Sequence, residues 1–255
     1  MISQDRTISK KTNGLGRVTG LALIAIFILG LFCGTMAVTT PALAGSSLPE
    51  GFIRADTLIP NLVLEMRYNG NNNFIGEKID GYTADACIIH QNAAKALAQV
   101  QAELSPFGLG IKIFDAYRPQ MAVDHFVRWE KDTADTRMKA QFYPDVDKRD
   151  LFKEGYIASK SGHSRGSTVD ITLISLASPD PASNPVELPM GSEFDFFGKV
   201  SWPLNKTVTP QQRANRMLLR TLMVKNGFKP YDQEWWHFTL ANEPFPNTYF
   251  NFPVQ

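Results

Sequence analysis

With 255 residues, 44% of them hydrophobic and 20% charged, the chain has the composition of a globular protein, which excludes a disordered or fibrous one. Its net charge of +1 provides no basic footprint, so no nucleic-acid partner is expected. The first element in the chain is not part of the fold. A basic, polar stretch to Arg17 is followed by the uncharged run Val18 to Val38, then by Ala42-Leu43-Ala44 ahead of Gly45-Ser46-Ser47. Positive, apolar and small-residue regions in that order predict a secretory signal peptide over residues 1–44, cleaved after Ala44. An uncleaved anchor is the competing reading, since about 20 apolar residues span a bilayer. Either way Lys10, Lys11 and Arg17 stay inside, and residues 45–255 are expected in the periplasm or extracytoplasmic space, with no stable membrane contact once the signal is cleaved. Bulky Phe32 before Cys33 argues against lipoprotein attachment. Beyond the signal Cys87 is the only cysteine, so no internal disulfide can form, and the apolar Ile88 and Ile89 that follow mark it as a small buried hydrophobe.

No repeat or low-complexity linker divides residues 45–255, which predicts a single domain. Gln91 to Glu103 spaces Ala94, Leu97, Ala98 and Val100 as a helix does and stops at Ser105-Pro106. Ile111 to Phe114 alternates as a strand. Pro119 suits a first helical position, and a helix is expected from there to about Lys131, with Arg118 at the strand-to-helix junction. Thr168 to Leu173 alternates polar and apolar residues, predicting a half-buried strand whose polar face carries Asp170. Four prolines between Ala177 and Pro189 predict a loop. Gln211 to Asn226 reads as a helix closed by Gly227, and His237 to Leu240 as a strand with His237 and Thr239 on one face. The sum is an α+β domain with a mostly antiparallel sheet flanked by helices.

Only four histidines are present. His163 and Asp170 lie in one short run, and His237 closes the run Glu234-Trp235-Trp236-His237. A catalytic zinc takes three N or O ligands and keeps one position open, a need that two imidazoles and one carboxylate meet. Gly166 permits a turn between His163 and Asp170 that would bring both side chains to one ion. Glu234, three residues before His237, suits a carboxylate kept near a metal without binding it. On spacing alone, a metal site and hydrogen-bonded structural histidines remain equally open. Trp235, Trp236 and Phe238 read as core, and His90 and His125 have no acidic or cysteine company at ligand spacing.

The pattern SxHxxGxxxD, running from Ser161 to Asp170, together with Glu234 to His237, resembles the zinc signature of the D-alanyl-D-alanine peptidases related to hedgehog-type domains. More narrowly, the chain resembles the VanX-type D,D-dipeptidases over nearly all of residues 60–255. The likeness is carried by Arg67-Tyr68, Asn73-Phe74-Ile75-Gly76, Gly81-Tyr82, Asp115-Ala116-Tyr117-Arg118-Pro119, the run Met190 to Phe196, and the ending Glu243 to Phe250. The resemblance implies a hedgehog/D,D-peptidase-like fold and one zinc ion per chain, held by His163, Asp170 and His237. It implies Glu234 as general base, Arg118 as donor to the oxyanion, Asp195 and Tyr68 as the holders of the substrate's free amino group, Ser161 as a residue near its carboxylate, and Asp115 as the support of Arg118. The expected partner is a small dipeptide, D-alanyl-D-alanine. Taken singly, Arg118 also reads as a surface arginine paired with Asp115, Asp195 as a turn cap, Tyr68 as a core aromatic and Ser161 as a turn residue.

Two departures stand out. The family's best-known members act in the cytoplasm, whereas this chain carries an export segment, which points to turnover of peptidoglycan-derived dipeptide and away from glycopeptide resistance. The Pro-rich stretch Ser178 to Pro189 is also longer than the family's loop. The rival readings are a D,D-carboxypeptidase acting on longer peptidoglycan stems and a non-catalytic binding domain that keeps zinc for structure.

Overall fold

The computed structural model describes residues 47–176 and 185–255. The predicted signal segment 1–44 and residues 177–184 of the Pro-rich stretch lie outside the described residues. In chain order, β1 (Phe52–Arg54), β2 (Val63–Leu64) and β3 (Ile88–His90) lead into α1 (Gln91–Leu104), β4 (Leu109–Asp115), α2 (Gln120–Lys131), the single-turn α3 (Lys139–Phe142) and β5 (Thr168–Ser175). Then follow β6 (Val186–Glu187), α4 (Pro210–Lys225), β7 (Phe228–Tyr231) and β8 (Glu234–Leu240). No helix among the described residues is long and apolar enough to cross a membrane.

The helices form where local signals demand them. His90 caps α1 by accepting from the Asn92 amide at 3.1 Å. α4 opens with a reciprocal cap in which the Thr209 hydroxyl accepts from the Gln212 amide and the Gln212 side chain from the Thr209 amide, satisfying two amides that the first turn leaves free. It ends before Gly227, whose φ of +89° a side chain would disfavour. Pro119 is the cap before α2 and not its first residue, because its ψ of 151° is still extended.

β1 and β3 form a small antiparallel pair. The main sheet runs β2-β4-β5-β8-β7, with β6 added beside the far end of β5. Every pairing in it is antiparallel except β2 with β4. α1 and α4 pack on this sheet, burying Leu97, Val100 and Leu104 from one and Leu219 and Met223 from the other. Alternation along the strands puts Ile111 and Ile113 of β4, Val169, Ile171 and Leu173 of β5 and Phe238 of β8 on one apolar face. Asp170 is therefore directed to the opposite face.

Two expectations need correcting. β5 is buried along both faces, Thr168 and Thr172 included, because it lies in mid-sheet with neighbours on both sides. The predicted loop 177–189 contains the strand β6, where Val186 and Glu187 pair with Ser175 and Ile174. Two residues are enough for an edge pairing, and Pro185 and Pro189 flank β6 without interrupting it. Cys87 is fully buried and unpaired, and burial pushes its thiol pKa up, as befits an inert core residue. Trp235, Trp236 and Phe238 are core, at 3%, 1% and 1% exposure.

Candidate active site

The site is built across three adjacent strands. Asp115 on β4 pairs with Asp170 on β5, which pairs with His237 on β8, so the three side chains share one face. Simple alternation would put Asp115 on the other face from Lys112 and Phe114. An irregularity between Ile113 and Asp115 inserts Phe114 as an extra residue and re-aims the next side chain.

His163 comes from outside the sheet, on the short helical turn Gly162–Arg165. Ser161 caps that turn, its Oγ accepting from the His163 amide at 3.2 Å. Gly166 closes it at φ +80°, where a Cβ would fall 2.3 Å from the Phe52 ring. The left-handed turn therefore brings His163 back over Asp170, as the glycine leads one to expect. His163 Nδ1 lies 2.7 Å from the Ala116 carbonyl oxygen. Donation there fixes the tautomer and leaves Nε2 as a free acceptor.

Among the described residues, one group of three His, Cys, Asp or Glu side chains converges closely enough to hold a metal: His163, Asp170 and His237. His163 Nε2 is 3.3 Å from His237 Nδ1 and 3.3 Å from Asp170 Oδ1, and the last two atoms are 3.0 Å apart. A tetrahedral zinc with bonds of about 2.0–2.1 Å places its ligand atoms about 3.3 Å apart. The donor set and its spacing thus fit zinc. Burial drives Asp170 upward in pKa, but the adjacent His163 and His237 outweigh it and hold the carboxyl well below the usual carboxylate range. Burial keeps His163 low and neutral, the form in which imidazole binds a metal.

Glu234 stands at the start of β8, its Oε2 3.5 Å from His237 Nδ1. Burial, reinforced by the charge of Asp170, lifts its carboxyl to about 7 against the opposing pull of His237 and Arg118. Arg118 is no surface arginine. Its side chain is 12% exposed and stacks over the Tyr68 and Phe126 rings at 4.9 and 5.1 Å. Its Nε donates to Asp115 Oδ2 at 2.9 Å, and one terminal nitrogen, Nη2, lies 3.5 Å from Asp170 Oδ2. Asp115, fully buried, also accepts from the Tyr82 hydroxyl at 2.6 Å.

Tyr68 and Asp195 meet from distant parts of the chain, the phenol donating to Asp195 Oδ2 at 2.9 Å. Asp195 adopts φ +61°, a left-handed conformation that costs a non-glycine residue roughly 1–3 kcal/mol. Its carboxyl is raised well above the usual range, by burial first and then by the charge of Asp170. Tyr68, Arg118, Ser161, His163, Asp170, Asp195, Glu234 and His237 line one cavity of about 280 Å³. Asp115 stands behind it.

The cavity has walls that the sequence did not signal. Tyr156, Phe197, Tyr231 and Lys160 line it as well; Tyr156 and Phe197 lie in irregular segments and Tyr231 at the end of β7, where isolated aromatics give no pattern to distinguish them from core. His125 is not without acidic company: Glu77 and Asp80 lie 3.2 and 3.4 Å from its ring nitrogens, brought there from an earlier loop. This exposed grouping is not among those that converge as metal ligands.

Comparison with known proteins matches residues 49–255 to the Peptidase M15 family, described as D-ala-D-ala dipeptidase. A D-alanyl-D-alanine dipeptidase of Enterococcus faecalis is 38% identical over 208 residues, covering 82% of this chain and all of the relative. One from Streptomyces coelicolor is 38% identical over 80% of this chain and 98% of its own length, and one from Escherichia coli 32% identical over 72% and 81%. A match across nearly the whole described chain, on a fold that brings together a metal-fitting His-Asp-His group, means that the chain belongs to the D-Ala-D-Ala dipeptidase family of M15 metallopeptidases.

Proposed function

We propose that this protein hydrolyses D-alanyl-D-alanine to two D-alanines with one zinc ion held by His163, Asp170 and His237. The observation that carries the reading is the meeting, in one small cavity, of the metal-fitting triad, the Glu234 carboxylate beside it and a hydrogen-bonded Tyr68–Asp195 pair. When bound, zinc supplies Lewis-acid polarisation of the scissile carbonyl and acidifies the attacking water. Glu234 takes a proton from that water and delivers it to the leaving amine. Arg118 donates to the carbonyl oxygen as negative charge develops on it, its guanidinium already oriented by Asp115. Asp195 accepts the ammonium of the dipeptide, with Tyr68 holding the carboxylate in place, and Ser161 stands on the carboxylate side.

The cavity volume supports a small substrate. At about 280 Å³ it falls just below the roughly 300–1,000 Å³ typical of drug-sized ligands. A carboxylate committed to a terminal ammonium disfavours chains extended at that end. Glu234 and Arg118 both reach the cavity, which a metal kept only for structure has no use for. The basic, apolar and small-residue order of residues 1–44 supports a setting outside the cytoplasm, where the enzyme salvages dipeptide released from peptidoglycan.

Hydrolysis by the zinc-loaded protein of D-Ala-D-Ala, L-Ala-L-Ala and a pentapeptide stem ending in D-Ala-D-Ala tests this. D-Ala-D-Ala is expected to be turned over with kcat/KM at least 100-fold above the other two. Equal turnover of the stem would replace dipeptidase by D,D-carboxypeptidase, and activity confined to the L,L-dipeptide would overturn the substrate class.

A further inference from the structure

Asp195 lies in the segment Pro189–Trp202, whose only regular structure is the short helical turn Lys199–Ser201. It carries two cross-links of its own, between the Ser192 and Ser201 hydroxyls at 2.9 Å and from the Ser201 hydroxyl to the Phe196 carbonyl at 2.6 Å, and it must hold a carboxylate in a left-handed conformation within reach of Tyr68. A further hold comes from α4. Arg216, at 2% exposure, donates from all three guanidinium nitrogens to backbone oxygens of this one segment. Its Nε reaches Met190 O at 2.6 Å, Nη2 reaches Val200 O at 2.9 Å and Nη1 reaches Trp202 O at 2.9 Å. The preceding Asn215 adds a bond from Nδ2 to Pro189 O at 2.8 Å. Both ends of the segment, on either side of Asp195, are thereby tied to one rigid helix.

The choice of residue is informative. No carboxylate is paired with Arg216 among the described residues, and burial pushes its pKa down to about 10, so it remains a cation at neutral pH. Burying a cation without a counter-charge is costly. At a helix position that faces the interior, an apolar side chain would pack at less cost. What arginine supplies is a planar fork of donors that can fix three carbonyls at once.

We infer that Arg216 is a positioning residue for amino-end recognition, clamping the two ends of Pro189–Trp202 so that Asp195 is presented to the substrate's ammonium. The inference rests on the reading that Asp195 takes that ammonium. Arg216 touches neither substrate nor metal; it acts through Asp195.

The test compares the zinc-loaded full chain with Asp195→Asn, Arg216→Lys, Arg216→Met and Ser192→Ala, each on D-Ala-D-Ala and on N-acetyl-D-Ala-D-Ala. Ser192 belongs to the same segment and receives the Trp235 indole N–H at 2.9 Å. Asp195→Asn is expected to abolish the preference for the free amine. Both Arg216 variants are expected to raise KM for D-Ala-D-Ala at least tenfold with kcat changed less than threefold. They should shrink the free-amine preference by the same factor while binding one zinc per chain. Ser192→Ala should shift both quantities in the same direction by a smaller factor. Lower thermal stability with KM and preference unchanged in the Arg216 variants, beside a lost preference in Asp195→Asn, would overturn the clamp and leave the Asp195 reading intact. A preference that survives Asp195→Asn would overturn that reading and the clamp with it. If neither Arg216 variant folds, an unchanged preference in Ser192→Ala overturns the clamp.

Discussion

Replacing Glu234 by Gln is expected to lower kcat for D-Ala-D-Ala by about 10³-fold, within the roughly 10²–10⁴-fold range of general base catalysis, while zinc content stays at one per chain. The substitution is nearly isosteric and leaves the side chain beside His237, where Glu234 Oε2 now lies 3.5 Å from Nδ1. An amide cannot accept the proton of the attacking water or pass it on. KM is expected to change little, because Glu234 binds neither end of the dipeptide in this scheme. The measurement is steady-state kinetics paired with metal analysis of the same preparation. Normal turnover with full zinc would remove Glu234 from the mechanism, whereas loss of zinc would make it a ligand.

The second large effect is expected at Arg118. Arg118→Lys should reduce kcat by about 10²–10³-fold, the loss typical of one oxyanion donor. Lysine keeps the positive charge beside Asp115 and Asp170 but has no fork. It cannot hold Asp115 through one nitrogen, as Nε does at 2.9 Å, and aim another at a carbonyl. Complete removal of the charge is a poorer test. In Arg118→Ala the fully buried Asp115 loses its cation, and breaking a buried pair costs roughly 3–5 kcal/mol of stability. Kinetics of the lysine variant, read beside its thermal midpoint, separate the two effects. A kcat within threefold of the parent would show that Arg118 serves structure alone.

Much of this site was legible because its parts carry strong local signals. Thr168 to Leu173 and His237 to Leu240 alternate, Gly166 marks a left-handed turn, and α1 and α4 differ from their expected limits by one residue at most. The pairing between strands was less legible. Nothing in the sequence dictates that β8 lies against β5 so that His237 meets Asp170 from 67 positions away; that register follows from the packing of the whole sheet. The extra residue Phe114, which turns Asp115 toward the site, breaks the alternation that sequence reasoning relies on. β1, β2, β3 and β6 have two or three residues each, too few for a period to show. Arg216 was hidden for another reason. In a helix rich in Arg and Gln it looks like one more solvated side chain, and only the fold turns it inward.

The central claim is that His163, Asp170 and His237 hold the metal on which dipeptide hydrolysis depends, and it is tested most directly by titrating chelator-stripped protein with zinc while following D-Ala-D-Ala hydrolysis. Activity is expected to be absent in the stripped protein, to rise linearly and to reach its plateau at one equivalent per chain, with His163→Ala restoring neither binding nor activity. Undiminished hydrolysis by protein verified as metal-free, or a plateau at one equivalent in His163→Ala, would contradict it.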